Sequence, residues 1–165
     1  MTKILTVLIE IIRLRRGPQD LPASWSLVLL AIALNVGLGA AISQPEQAQA
    51  TGLKSVISDS ALQVLLVSLI LQLRHVFGRL SQTLLALAGT GLLLAIPLVL
   101  MLPYAAQPYS NPAEAIAALG VLAIFLWSIA VDGHIFRHAL SVTMATGVAL
   151  AIGLFFIRSI AITLI

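Results

Sequence analysis

The sequence predicts an all-α integral membrane protein: a bundle of five transmembrane helices preceded by a short amphipathic interfacial helix. Two observations lead there, and a third orients the chain. Of the 165 residues, 60% are hydrophobic and only 9% charged, with a mean hydropathy of +1.09. A soluble domain carries about 25% charged residues to keep its surface in water, so most of this surface has to face lipid. Apolar runs of near-spanning length also recur along the chain, separated by short stretches rich in Pro, Gly and polar residues. Finally, the basic residues gather after alternate runs, as cytoplasmic segments of membrane proteins do.

Residues 1–16, MTKILTVLIEIIRLRR, alternate apolar positions with Lys3, Glu10, Arg13, Arg15 and Arg16. The apolar run is too short to span and Glu10 interrupts it. It fits an amphipathic helix in the cytoplasmic interface with its arginines among anionic head groups. A signal peptide would place its basic cluster before the apolar run, not after it. Gly17-Pro18 and Leu21-Pro22 then break the helix and turn the chain into the bilayer. This divides the chain into a segment 1–22 and a transmembrane domain 23–165.

The expected spans are residues 23–42, 56–73, 80–102, 115–131 and 139–157. The first has no charge, enters at Trp25 and holds Asn35 near its middle, where an interhelical hydrogen bond is the expected role; Gly37 and Gly39 permit close packing. Residues 43–54 read as a polar loop. Ala48-Gln49-Ala50 within it resembles a signal-peptidase site, but the preceding run is too long for a signal core, so an uncleaved anchor is expected. The second span is the short one, with an unbroken apolar core of only residues 61–73. Orientation argues that it crosses: only then do Arg74, His75 and Arg79 share a side with the N-terminal arginines. The third is Leu-rich, with Gly89, Gly91 and a kinking Pro97. Residues 103–114 form an outer loop whose Ser-Asn-Pro opens the fourth helix, and Asp132-Gly133 ends that helix. On the fifth span Ala145, Ala149 and Gly153 recur every four residues, a small-residue stripe that lets helix backbones approach. Lys3, Arg13, Arg15, Arg16, Arg74, Arg79 and Arg137 then lie on the cytoplasmic side, and only Lys54 and Arg158 outside, which puts the N-terminus in the cytoplasm and the C-terminus in the periplasm or outside.

The richest chemistry lies in residues 127–139, WSIAVDGHIFRHA, expected as the turn between the last two spans. His134 and His138 are four apart and share a helical face; with His75 and Asp132 they make a geometrically possible metal or haem site. No HExxH glutamate, second carboxylate or cysteine reinforces it, so no metal and no cofactor is expected. The simpler expectation is an interfacial turn in which Asp132 caps the last helix and Arg137 meets lipid phosphate.

Several functions are disfavoured. The formal charge of +3 comes from no broad basic face, so nucleic acid is not the expected partner. Without cysteine there are no disulfides, thiol catalysis or Cys-ligated metals. Intramembrane acids and bases mark ion pathways, and no expected span holds one near its centre; Arg158 is near enough to a helix end to snorkel. Gln63, Ser68, Gln72, Thr90, Ser128, Thr143 and Thr146 fit scattered helix–helix hydrogen bonds. No nucleophile, base and orienting acid group together, so an enzyme is not expected.

The Arg-Arg-Gly-Pro entry at residues 15–18, Trp127 at the end of the fourth span and the small-residue fifth span, set in five closely spaced spans, resemble the small bacterial Yip1-domain membrane proteins. The resemblance implies a non-catalytic helical bundle of the bacterial inner membrane that works through partners or lipids. The long GTPase-binding N-terminal part of eukaryotic relatives has no counterpart in the twenty or so residues before the first span, so that role does not carry over.

The expected function is therefore a small, non-catalytic protein- or lipid-binding scaffold. Its partners would be anionic lipid head groups at Arg13, Arg15, Arg16, Arg74, Arg79 and Arg137, and a second copy or another membrane protein. Helix packing would rest on Asn35, Gly89, Pro97, Ala145, Ala149 and Gly153. A channel or transporter subunit with a path lined by Asn35, Gln63 and Thr146 is the alternative, and metal or haem binding at His75, His134 and His138 a third.

Overall fold

A computed structural model describes residues 2–42, 49–105 and 111–164. All of its regular structure is helical: α1 (Thr2–Ile12), α2 (Trp25–Ile42), α3 (Gln49–Leu73), α4 (Leu80–Ala105), α5 (Pro112–Leu140) and α6 (Met144–Thr163), with 3₁₀ turns at Pro18–Asp20 and Phe77–Arg79. Four of these are long and apolar enough to cross a membrane, and Trp25–Ala41 is a shorter apolar helix. Leu29, Leu34, Leu65, Leu69, Ile116, Leu119, Phe156 and Ile160 stand exposed on their outer faces. Exposed apolar surface on that scale belongs in lipid, and the protein is a multi-pass membrane protein.

The expected boundaries shift in three places. The short apolar helix is the first, not the second: α3 begins at Gln49, so the latter part of the expected loop is helical, and the apolar segment Gly52–Leu73 runs 22 residues. At 1.5 Å per residue that is about 33 Å, enough for a hydrocarbon core of roughly 30 Å. Residues 43–48, the middle of the expected loop, and 106–110 lie outside the described residues. The largest change concerns residues 127–139, which are not a turn. Helix α5 continues through Asp132 and Gly133 to Leu140, and Ser141 ends it in the left-handed conformation at φ 54°. Asp132 therefore caps nothing. The cap of α6 is Thr143, whose hydroxyl accepts from the Thr146 amide at 3.3 Å. At its other end α5 starts as Ser-Asn-Pro suggests, with Asn111 and Glu114 in a reciprocal capping box and Pro112 in the first turn.

The core is confined to one half of the bundle. In α4 the buried residues run from Leu80 to Thr90 and stop. In α3 they are Val67 and Leu71, near its end; in α5 all but Ala117 fall between Val131 and Leu140; in α6 they are Gly147, Ala151 and Leu154, toward its start. All of these positions lie at the end that also carries Arg13, Arg15, Arg16, Arg74, Arg79 and Arg137, called here the basic end. Helix α1 completes this packing. Val7, Leu8 and Ile11 enter the same core, with Leu8 seated against Gly89, while Leu5 and Ile9 stay exposed. The N-terminal segment is thus docked onto the bundle as well as amphipathic.

Polar bonds tie the basic end together. Trp127 Nε1 donates to the Ile12 carbonyl at 3.1 Å, and a His134 ring nitrogen lies 2.9 Å from the Arg16 carbonyl. These two residues, seven apart on α5, hold the segment that follows α1. Gln82 Nε2 donates to the Leu21 carbonyl at 2.7 Å. Arg79 donates to the His138 and Ala139 carbonyls at 3.2 and 3.1 Å, satisfying the last turn of α5 and meeting the negative end of its dipole.

Between α5 and α6, close approach uses different small residues from those expected. A Cβ on Gly147 would collide with the Gly133 carbonyl oxygen, and one on Gly133 would stand 2.8 Å from Val148 Cα. Here the α5 and α6 backbones touch. Ala145 and Ala149 are exposed, and a Cβ on Gly153 would meet open space, so the expected stripe faces outward. Asn35 does make the expected interhelical bond, donating to the Ala88 carbonyl on α4 at 2.9 Å, and α4 runs on as helix through Pro97. Gly147→Ala should lower stability in detergent by about 1–3 kcal/mol, the usual range for overpacking, whereas Gly153→Ala should leave it within about 0.5 kcal/mol; unfolding curves of the two variants check this.

Candidate functional site

Helices α2 to α6 line a cavity of about 590 Å³ that starts within the dense half and extends past it. Its walls run along α4 from Leu84 to Leu102 and along α5 from Val121 to Asp132. The eighteen steps from Leu84 to Leu102 correspond to about 27 Å along the helix axis, so the cavity is long. The buried core lies at its basic end. Most of the lining is aliphatic, with Phe125 the aromatic member; the polar members are Asn35, Asp59, Ser60, Gln63, Thr90, Ser128, Asp132 and Arg158.

Helical periodicity explains how these residues meet. On α5, Val121, Phe125, Ser128 and Asp132 are spaced by four, three and four, the spacing of one helical face. Trp127, His134 and His138 lie on a face well removed from it, and the first two bond the N-terminal segment instead. On α3, Asp59 and Gln63 are four apart and also share a face. Helix α6 brings Arg158 across to α3. Its Nε donates to Asp59 Oδ1 at 2.8 Å and its Nη2 to Asp59 Oδ2, a two-point guanidinium–carboxylate pair. Arg158 thus turns inward and does not snorkel along the lipid face. Counted from the basic end, Asp59 and Arg158 are each fourteen residues along their helices, about 21 Å, which is why they face each other.

Asp132 sits deeper, about 12 Å from the end of α5. It is almost fully enclosed by protein yet keeps accessible surface, because that surface belongs to the cavity and to a recess of about 60 Å³ beneath it. Among the described residues its carboxyl makes no hydrogen bond or ion pair, although the charge of Arg158 acts on it. The Gln63 amide is also without a hydrogen bond among the described residues. The hydroxyls are spent locally: Ser60 donates to the Val56 carbonyl, Thr90 to Ala86 and Ser128 to Phe125. None is placed against a base.

The expected metal candidates do not converge. Among the described residues no group of three His, Asp or Glu could hold a metal ion. His134 and His138 pack edge to face at 4.5 Å between centroids. Asp132, two residues from His134, points to a different side, and His75 ends α3 in an exposed left-handed conformation at φ 56°. Of the expected lipid-contacting arginines, Arg13, Arg15, Arg74 and Arg137 are exposed, Arg79 is engaged with α5, and Arg16 Nε lies 2.6 Å from Glu10 Oε2 in an ion pair without hydrogen-bond alignment. The expected path of Asn35, Gln63 and Thr146 is joined only in part: the first two line the cavity, and Thr146 is in the cap of α6.

The cavity's acid and its ion pair were not expected from the sequence, because ending the fourth span at Asp132 placed that residue outside the bilayer. The signal was the four-residue spacing of Ser128 and Asp132, matched by Asp59 and Gln63. No family model matches the chain, and no curated protein or solved structure matches it either.

The pair's side chains retain 25% and 30% exposure. Breaking it should therefore cost less than the 3–5 kcal/mol of a fully buried pair, about 1–3 kcal/mol for Arg158→Leu. Asp59→Asn should cost less than Arg158→Leu, because Asp132 remains to oppose the arginine, and the double variant Asp59→Leu/Arg158→Leu should recover most of the loss. Thermal unfolding of the four proteins in one detergent checks the order.

Proposed function

We propose that the protein is a non-catalytic, multi-pass protein of the bacterial inner membrane that binds a small molecule inside its helix bundle, as a carrier or as the binding subunit of one. The observation that carries this reading is Asp132, without a hydrogen bond or ion pair among the described residues, at the foot of a cavity of about 590 Å³. Ligand pockets fall in the range of roughly 300–1,000 Å³, mostly apolar with a few polar groups that fix orientation. An intramembrane acid facing such a space marks a functional site by default. The non-catalytic part rests on the hydroxyls' bonds to their own helices, which leave no activated nucleophile beside the acid. On the positive-inside trend the basic end faces the cytoplasm, which puts most of the cavity in the half of the bundle nearer the periplasm or the outer leaflet.

A scaffold role in contact with a second copy or another membrane protein is the second reading. What favours it is the outward-facing stripe of Ala145, Ala149 and Gly153, which internal packing leaves unused. A strictly monomeric species that retains no protein partner in mild detergent would remove it.

Native mass spectrometry of the protein released from nanodiscs tests the leading reading. A bound species of a few hundred daltons is expected on the unmodified chain and not on Ser128→Phe, which fills the cavity from the α5 wall. Bare protein in both cases, or the same adduct on both, would overturn it.

A further inference from the structure

The charges around the cavity limit what it can hold. Helix α2 and helix α4 contribute no ionisable side chain to its walls, α3 contributes Asp59, α5 contributes Asp132 and α6 contributes Arg158. Asp59 and Arg158 neutralise each other through two contacts. Among the described residues one carboxylate is left over, and their side chains give the space a net charge of −1 when Asp132 is ionised. An isolated carboxylate in a low-dielectric interior costs several kcal/mol unless a cation or a donor meets it. Among the described residues none is in hydrogen-bond or ion-pair contact with it, and Arg158, whose charge acts on it, is paired with Asp59.

The remaining lining specifies the rest of the ligand. Above Asp132 on the same face of α5 stand Ser128, then Phe125, held edge to face against Phe155 at 5.2 Å between centroids. Leu94, Leu98 and Ile124 extend the apolar wall. An acid at the foot, an aromatic ring about two turns above it and aliphatic walls beyond suit a positive charge carried on an apolar body. The ring's negative face adds attraction for a poorly hydrated cation. A small, strongly hydrated metal ion fits less well, since it would need several oxygen ligands around one point in a space this large and this apolar.

We infer that the cavity is a binding site for an amphiphilic organic cation, a protonated amine or quaternary onium with an apolar body, whose charge is met by Asp132. This rests on the reading of the cavity as a ligand site. The carboxylate supplies the counter-charge, Phe125 the aromatic contact, and Gln63 and Ser128 the polar collar around it. The Asp59–Arg158 pair keeps the arginine from occupying Asp132 itself, and so keeps the negative site vacant for the ligand.

The test uses two hydrophobic ions of the same shape and opposite charge, tetraphenylphosphonium and tetraphenylborate, in equilibrium binding to the full chain in nanodiscs. Saturable binding of tetraphenylphosphonium is expected, weakened at least about tenfold by the near-isosteric Asp132→Asn, as loss of a desolvated counter-charge requires. Asp132→Glu should keep most of the binding, and tetraphenylborate should show no dependence on residue 132. If both ions bind alike and Asp132→Asn changes neither, the cation claim fails while the cavity stands as a ligand site. Absence of saturable binding by either ion, or binding that Ser128→Phe leaves unchanged, overturns both.

Discussion

Hydrocarbon tolerates an ion only where another group compensates it, and that constraint organises this bundle. Arg158 lies well inside α6, and Asp59 at matching depth in α3 binds it through two contacts. Because α3 and α6 are joined only through the rest of the chain, the pair fixes their rotation about their own axes: turning either helix by one residue would send a charge into lipid. With α6 so placed, Gly147 meets Gly133 and sets the rotation of α5. That rotation aims Asp132 at the space between the helices and Trp127 and His134 at the N-terminal segment. Pair, glycine contact and cavity are consequences of one arrangement.

The same arrangement separates holding from binding. At the basic end the apolar side chains interdigitate, α1 closes the face of α4, and Arg79, Gln82, Trp127 and His134 satisfy carbonyls that would otherwise be left at helix ends and turns. Well-packed cores resist deformation, so this half serves as the frame. In the other half the helices line the cavity and its polar groups, and α4 continues there through Pro97 and Pro103, each of which removes one backbone bond. A site that admits a ligand belongs in the less tightly packed part of a protein.

The class of protein and the number of apolar helices were legible because composition and run length depend on the bilayer itself, not on tertiary detail. Asn111-Pro112 and Asn35 were legible for a similar reason: a cap and a lone amide in an apolar helix have few ways to be satisfied. The corner at residues 127–139 was misread because Asp-Gly is a common helix stop, while in the folded chain α5 is supported past it by α1, α4 and α6. Charge-based reasoning then moved Asp132 to the surface and hid the cavity. The stripe Ala145, Ala149 and Gly153 satisfied the small-residue pattern, but pattern alone cannot say which side of a helix meets a neighbour; Gly147, in the same turns, does so instead. Where Arg158 points was beyond sequence reasoning altogether, since its partner is 99 residues away.

The chain has no cysteine, so single cysteines report directly on the division between a packed half and an accessible cavity. The decisive measurement is the labelling rate of Gln63→Cys and Ser128→Cys, set against Thr83→Cys and Ile135→Cys, with a small water-soluble thiol reagent in sealed vesicles. Rapid labelling is expected at positions 63 and 128 from the side opposite the basic end, slowed by a cavity-bound organic cation, with protection at 83 and 135. Equal protection at all four positions, or labelling at 63 and 128 only from the basic side, would contradict it.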